Sequence, residues 1–145
     1  MNIFYPPIYF LIILAFQVLA NKYFPLLLLY QNIYISIILF VIGSIFGGSA
    51  LLLFVLKKTT IIHGKYPKKL VVVGPYRITR NPMYLSLLLF LVASAFYLGS
   101  VSSYLLAVLF WAGINWKIIV KEEEIMKKKF GAQYKKYSES VRRWI

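Results

Sequence analysis

Residues 33–56 read IYISIILFVIGSIFGGSALLLFVL and contain no charged side chain. A bilayer core about 30 Å thick needs roughly 20 apolar residues per helix, so this stretch is long enough to cross it. Further apolar stretches lie at residues 3–20, 82–98 and 101–120. We therefore expect an all-α integral membrane protein with four transmembrane helices, a cytoplasmic loop and a C-terminal helical tail. The length predicts a single domain, residues 1–145.

The composition agrees with a membrane protein and excludes several kinds of site. Of the 145 residues, 61% are hydrophobic and 14% are charged, against about 45–50% and about 25% in soluble domains. The chain has no Cys, so neither a disulfide framework nor a thiolate metal site is expected. It has one histidine, His63, and no Asp, which argues against a metal-ligand set and against a Ser/His/acid triad.

The basic residues indicate the orientation of the helices. Of 17 Lys and Arg, seven fall in residues 57–80 and nine in residues 117–143, and the remaining one is Lys22. Four spans place both basic regions on one side, which the positive-inside rule makes cytoplasmic. We expect both termini and the active site on that side. Topology and attraction to lipid headgroups explain this charge, and we expect no nucleic-acid partner, because the residues outside the spans are too few for a recognition fold.

The second predicted span also contains closely spaced glycines. Gly43, Gly47 and Gly48 give the small-xxx-small pattern that lets two membrane helices approach closely. We interpret them as a helix-packing face.

Two local signals precede the third predicted span. Gly74-Pro75 indicates a turn after a β-branched run, and Asn81 followed by Pro82 is typical of a helix N-terminus. Because a helix N-terminus carries free N–H groups and partial positive charge, it predicts an anion site together with the adjacent Arg80. A capped helix with a snorkelling arginine is the structural alternative, but it does not explain the Gly-Pro-Tyr turn.

Three adjacent glutamates follow the fourth predicted span. At 100° per residue, Glu122 and Glu123 lie at the two edges of the apolar face, whereas Glu124 lies among lysines and forms an i,i+4 pair with Lys128. A carboxylate directed toward protein or membrane needs a partner, since burying an unpaired charge is costly. That partner could be Arg80, another basic residue, or a ligand with hydroxyls or an amine.

Several of these residues carry a resemblance to a known family. GPYRITRNPMY at residues 74–84, Glu122-Glu123, FGAQYKKY at residues 130–137 and VRRW at residues 141–144 resemble the isoprenylcysteine carboxyl methyltransferase family. Phospholipid N-methyltransferases are related to it. The pattern covers about residues 61–145, and two linked motifs at matching separation make it specific.

The resemblance implies an integral membrane methyltransferase that binds S-adenosylmethionine at the cytoplasmic face, in a site formed by the loop and the tail. In it, Arg80 would be the catalytic residue that orients an anion. The implied cofactor contacts are Lys69, Leu70, Val71, Tyr76, Asn81, Pro82, Met83, Tyr84 and Glu122.

The sequence departs from the family pattern at two positions. Asn81 stands where the eukaryotic enzymes have a histidine, and it does not titrate. Ile118 stands where those enzymes hold the substrate carboxylate with an arginine, so Lys117 or Lys121 would have to replace that arginine.

The function predicted from this resemblance is methyl transfer to a lipophilic acceptor, a small molecule or a lipid, that enters between helices from the bilayer. A carboxylate acceptor needs no general base, which suits a chain poor in His, Asp and Cys. The alternatives are methylation of a phospholipid or other lipid amine, and a noncatalytic four-helix membrane protein. The sequence leaves the identity of the acceptor and the oligomeric state open.

Overall fold

The structure is a computed structural model, and it describes residues 5–57 and 69–145. The histidine His63, on which the argument against a metal site depends, lies outside the described residues, as do Lys58, Lys65 and Lys68. Within the described ranges the fold is helical. Its elements are α1 (Pro6–Tyr23), α2 (Ile33–Leu56), a 3₁₀ turn (Gly74–Arg77), α3 (Pro82–Leu98), α4 (Val101–Gly113), a π-helical segment (Ile114–Ile119) and α5 (Val120–Ser140).

The helices agree with a membrane protein. Three are long and apolar enough to cross a bilayer: α1, α2 and the continuous helix Val101–Ser140. The fourth candidate, α3, has 17 residues and is therefore about 26 Å long, slightly shorter than a typical bilayer core. The four-span count and the cytoplasmic position of the loop remain predictions.

The predicted bounds agree with the structure for α2 and α3 and differ elsewhere. Helix α1 runs from Pro6 to Tyr23, so Asn21 and Lys22 do not end it at residue 20. The predicted fourth span, residues 101–120, does not end at residue 120. It continues without interruption through the π-helical segment into α5, where Gly131 at φ 47° breaks the regular helix.

The glycines of α2 confirm the packing interpretation at two positions. A Cβ on Gly43 would lie 2.9 Å from the Phe90 ring, and one on Gly47 would lie 2.5 Å from Ser86 Oγ, so α2 and α3 approach as closely as glycine allows. A Cβ on Gly48 would meet no atom within 4 Å. Gly48 is therefore not part of this contact.

A second packing centre joins α1, α3 and α4. Its buried members include Ile13, Leu91, Phe110 and Ile114, and Tyr84 at the start of α3 packs in the same cluster. Gln17 of α1 lies in this region and is fully buried. Its amide donates to the Leu91 and Ser103 carbonyls at 3.1 and 2.8 Å, and its oxygen accepts from Ser94 at 2.5 Å. Such satisfied polar contacts hold membrane helices together and fix the position of α3.

Candidate active site

The first component of the site is the 3₁₀ turn before α3. Gly74 adopts φ 62°, a left-handed conformation that glycine accepts without strain. The turn buries Tyr76 against Ala50 and Val71, with its ring centroid 5.8 Å from that of Phe54. The predicted Gly-Pro-Tyr turn is therefore present, and its function is to place Tyr76 beside α2.

The environment of Tyr76 keeps its phenol protonated. Burial raises the pKa of Tyr76, and the neighbouring Tyr137 and Glu122 raise it further. At neutral pH, Tyr76 is therefore a neutral group with an O–H donor.

The second component is a contact between α3 and α5. Tyr84, on the first turn of α3 and 6% exposed, donates its hydroxyl to both carboxylate oxygens of Glu122 at 2.9 and 3.0 Å. Glu122 therefore faces protein, as helical geometry predicted, and two of the implied cofactor contacts lie together. A carboxylate has about four acceptor sites and accepts from hydroxyl and amine donors, so Glu122 is the kind of group that binds a ligand carrying them.

The third component is an ion-pair cluster around Glu123, which is 9% exposed. Its carboxylate lies 3.2 Å from Arg80 Nη2 and accepts two hydrogen bonds from Arg143, at 3.0 and 2.8 Å. Glu123 in turn raises the pKa of Arg143. Arg80 also donates to Tyr134 Oη at 3.4 Å. Glu124 is exposed, as predicted.

This cluster changes the interpretation of Arg80. The sequence predicted that Arg80 and the N-terminus of α3 await an anion, but the negative charge beside Arg80 in the structure is that of Glu123. Within the described part of the chain, the buried Nε of Arg80 makes no hydrogen bond. A direct role of Arg80 toward a substrate remains a prediction.

Side chains just before α3 are also hydrogen-bonded, in this case to the C-terminal residues of the chain. Asn81 occupies the predicted N-cap position, but its side chain does not cap the helix. Its amide instead donates to the Arg143 carbonyl at 2.9 Å, and the Thr79 hydroxyl donates to the same carbonyl at 3.1 Å. The Thr79 oxygen also accepts from the backbone N–H of Asn81 at 3.1 Å. The predicted capping bond is thus wrong: the Asn81 side chain is held by its bond to the Arg143 carbonyl, and its oxygen does not accept from the first N–H groups of α3.

Sequence reasoning missed the residues that close the site from the other side. Asn115, buried in the π-helical segment, accepts from Arg143 Nη1 at 3.2 Å and from Trp144 Nε1 at 3.1 Å. The Trp144 ring centroid lies 6.4 Å from that of Trp111. The signal in the sequence is VRRW in the family pattern, which includes Arg143 but indicates no partner for it.

The remaining residues that the resemblance implies as cofactor contacts differ in burial. Val71 is buried, and both Val71 and Met83 belong to the cluster around Tyr76, while Pro82 is buried as the first residue of α3. Lys69 is exposed and Leu70 is half-buried. Their contact with a cofactor remains a prediction.

Ile118, the position at which the family has a substrate-binding arginine, lies in apolar surroundings. Ile118 is half-buried and packs against the hydrophobic cluster that contains Tyr84. Lys117 and Lys121 are both exposed.

An apolar cavity of about 360 Å³ lies between the start of α1, α2 and α3. Tyr84 forms part of its wall, so the residue that binds Glu122 also borders the cavity. The other lining residues are Tyr5, Pro6, Pro7, Ser44, Gly47, Gly48, Leu51, Met83, Ser86, Leu87 and Phe90. Among residues 5–57 and 69–145, no group of three or more His, Cys, Asp or Glu is placed to hold a metal.

Comparison with known proteins gives one family and one relative. Residues 31–133 match the family model described as phospholipid methyltransferase. A Haemophilus influenzae protein described as uncharacterized is 43% identical over 63 residues, which are 43% of this chain and 100% of that protein. No solved structure matches. The motifs resemble the isoprenylcysteine carboxyl methyltransferases, and the matched phospholipid methyltransferase family is related to them. Membership of the isoprenylcysteine family itself is not confirmed.

Proposed function

The chain belongs to the phospholipid methyltransferase family, and we propose that it transfers a methyl group from S-adenosylmethionine to a lipophilic acceptor at the cytoplasmic face of the membrane. The observation that carries this proposal is the contact between Glu122 and Tyr84 at the wall of an apolar cavity. It joins a polar group suited to the cofactor with a space suited to a hydrocarbon chain.

The residues of the site fit S-adenosylmethionine. When bound, this cofactor supplies a methyl group already activated by a sulfonium cation. Glu122 would accept hydrogen bonds from its hydroxyl or amine groups and would favour its positive charge. Aromatic rings attract cations, and Tyr76 and Tyr84 provide two of them near Glu122. The protein has then to align the reactants and exclude water, which can be worth several kcal/mol of barrier.

The cavity suits the apolar part of the acceptor. Its walls are formed by the helix surfaces of α2 and α3 and by the prolines that begin α1. Much of α1 and α2 beyond the cavity exposes large apolar side chains, as a surface in lipid does. An acceptor could therefore enter from the bilayer without leaving an apolar environment.

The charges around the site support a lipid amine over a prenylcysteine carboxylate as the acceptor. Holding a carboxylate requires a cation, but Arg80 and Arg143 are both paired with Glu123, and Ile118 is packed in an apolar cluster. An amine must be neutral to attack the methyl group. Burial in an apolar cavity disfavours the charged ammonium form and so assists this step.

Binding and transfer assays on the purified full chain test the proposal. We expect S-adenosylhomocysteine to bind in calorimetry, and we expect a radiolabelled methyl group to enter the amine fraction of a lipid extract rather than prenylcysteine analogues. Label in the prenylcysteine analogues alone would reverse the choice of acceptor. Failure of both binding and transfer would favour a noncatalytic membrane protein.

Gly48→Leu should separate acceptor binding from cofactor binding. Gly48 lines the cavity and has room for a side chain, so the leucine would occupy acceptor space. We expect the KM for the acceptor to rise about tenfold, the scale on which apolar pockets discriminate by size. Calorimetry with S-adenosylhomocysteine should show unchanged affinity.

Two variants of α2 control for general damage. Ile45→Phe enlarges an exposed side chain and should leave both measurements unchanged. Gly47→Leu would collide with Ser86 and should lower the unfolding temperature. An unchanged acceptor KM in Gly48→Leu would remove the cavity from the proposal.

A further inference from the structure

The last described residues, Val141–Ile145, follow α5 as a non-helical segment that we term the strap. Backbone carbonyls of the strap bind the start of α3: Arg80 N–H donates to Arg142 O at 3.0 Å, and Thr79 and Asn81 donate to Arg143 O. Side chains of the strap bind the helix that carries the glutamates. Arg143 binds Glu123 twice, and both Arg143 and Trp144 bind Asn115.

Arg143 therefore holds both sides of the contact between Tyr84 and Glu122. Its carbonyl fixes Asn81, three residues before Tyr84 on the same helix. Its guanidinium fixes Glu123, the residue adjacent to Glu122. Because neighbouring residues on a helix are 100° apart, holding Glu123 sets the rotation of the first turn of α5 and directs Glu122 toward Tyr84.

Asn115 extends the same arrangement to the π-helical segment. A π segment changes the rotation of everything after it, so its position determines where the following glutamates point. Asn115 is 7% exposed and would be an unsatisfied polar group in the core without the strap. Arg143 and Trp144 satisfy its oxygen and so link the segment to α3.

We infer that Arg143 is a positioning residue of the active site: its guanidinium, bound to Glu123 and Asn115, sets the geometry of Glu122 against Tyr84, while its backbone carbonyl holds Asn81. The test of this inference by cofactor binding rests on the proposed function. The test by distance measurement does not. The geometry favours arginine specifically, since one planar guanidinium supplies the donors to Glu123 and Asn115 together. A lysine would restore the charge but not this fork of hydrogen bonds.

The test compares Arg143→Ala and Arg143→Lys in the full chain, with Lys136→Ala as a control that removes an exposed charge from the same tail. We expect Arg143→Ala to weaken S-adenosylhomocysteine binding about tenfold or more, because Glu123 then keeps only its contact with Arg80 and no longer fixes the rotation of the first turn of α5. Arg143→Lys should recover part of the affinity. Lys136→Ala should bind as the unsubstituted protein does.

A distance measurement tests the strap without cofactor. The chain has no cysteine, so spin labels on Ile78→Cys and Ile145→Cys, both exposed positions, report a single distance between the turn and the strap. We expect one narrow distribution in the parent, a broad one after Arg143→Ala and an intermediate one after Arg143→Lys. Trp144→Phe keeps an aromatic ring but loses the donor to Asn115, and it should broaden the distribution less than Arg143→Ala.

The outcomes separate the two proposals. A narrow distance in every variant, or parent-like cofactor affinity in a folded Arg143→Ala, would overturn the positioning role. If Arg143→Ala does not fold, parent-like distance and affinity in Trp144→Phe and Arg143→Lys would overturn it. If the parent binds no S-adenosylhomocysteine while the distances respond as expected, the proposed function is wrong and the structural role of Arg143 in the strap is supported.

Discussion

Glu122→Ala should abolish measurable binding of S-adenosylhomocysteine. The carboxylate accepts from Tyr84 and has acceptor capacity for the hydroxyl or amine groups of the cofactor. Its removal takes away those bonds and leaves the Tyr84 hydroxyl without this acceptor in a buried position. Losing two charge-assisted hydrogen bonds at about 1.5–3 kcal/mol each corresponds to an affinity decrease of roughly a hundredfold or more. Calorimetry on the purified variant measures it.

The adjacent Glu124 provides a matched control, since it is exposed and two residues further along the same helix. Glu124→Ala should bind the cofactor normally. Tyr84→Phe should weaken binding less than Glu122→Ala, because the carboxylate remains and loses only its internal donor. Equal losses in the Glu122 and Glu124 variants would refute the assignment of Glu122 to the cofactor.

Glu123→Ala should lower stability far more than the loss of an exposed acid on α5. The substitution leaves the Arg80 and Arg143 guanidiniums without their shared carboxylate. Breaking a buried pair costs about 3–5 kcal/mol, and we expect about 3 kcal/mol here because the Arg143 side chain is 31% exposed and partly screened. Denaturation of the detergent-solubilised protein provides the measurement.

A double-variant cycle identifies the source of that loss. Glu139→Ala removes an exposed acid from the same helix and should cost little. The variant Glu123→Ala/Arg143→Ala should cost clearly less than the two single losses added together, since each removes the partner of the other. Strict additivity would show that the two side chains do not interact.

The sequence was sufficient where a local rule decides the structure. Hydropathy alone placed the bounds of α2 and α3, because a residue in lipid must be apolar and its backbone must bond internally. Helical geometry separated the buried Glu123 from the exposed Glu124. The requirement that a buried carboxylate have a partner left Arg80, another basic residue or a ligand as candidates, and in the structure Arg80 and Arg143 are the partners of Glu123.

The sequence was insufficient where distant segments determine the contacts of a side chain. Asn81 has the side chain of an N-cap, yet its amide donates to the Arg143 carbonyl, 62 positions away, and its oxygen does not cap α3. Nothing local to Asn115 indicated a π-helical segment or a polar role in the core. The VRRW motif marks Arg143 among the nine basic residues of the tail but does not indicate its partners, which are fixed only by the tertiary fold.

The short α3 gives the lipid a part in the geometry of the site. Tyr84 is on its first turn, and the helix is about 26 Å long, whereas the neighbouring helix Val101–Ser140 has 40 residues and extends well beyond a bilayer. In the predicted four-span arrangement, in which α3 crosses the bilayer, hydrophobic mismatch acts unequally on the helices that carry Tyr84 and Glu122. We then expect a thicker membrane to draw Tyr84 toward the hydrocarbon while Glu122 moves less. The acyl-chain length of the host lipids is thus expected to change the contact between these two side chains.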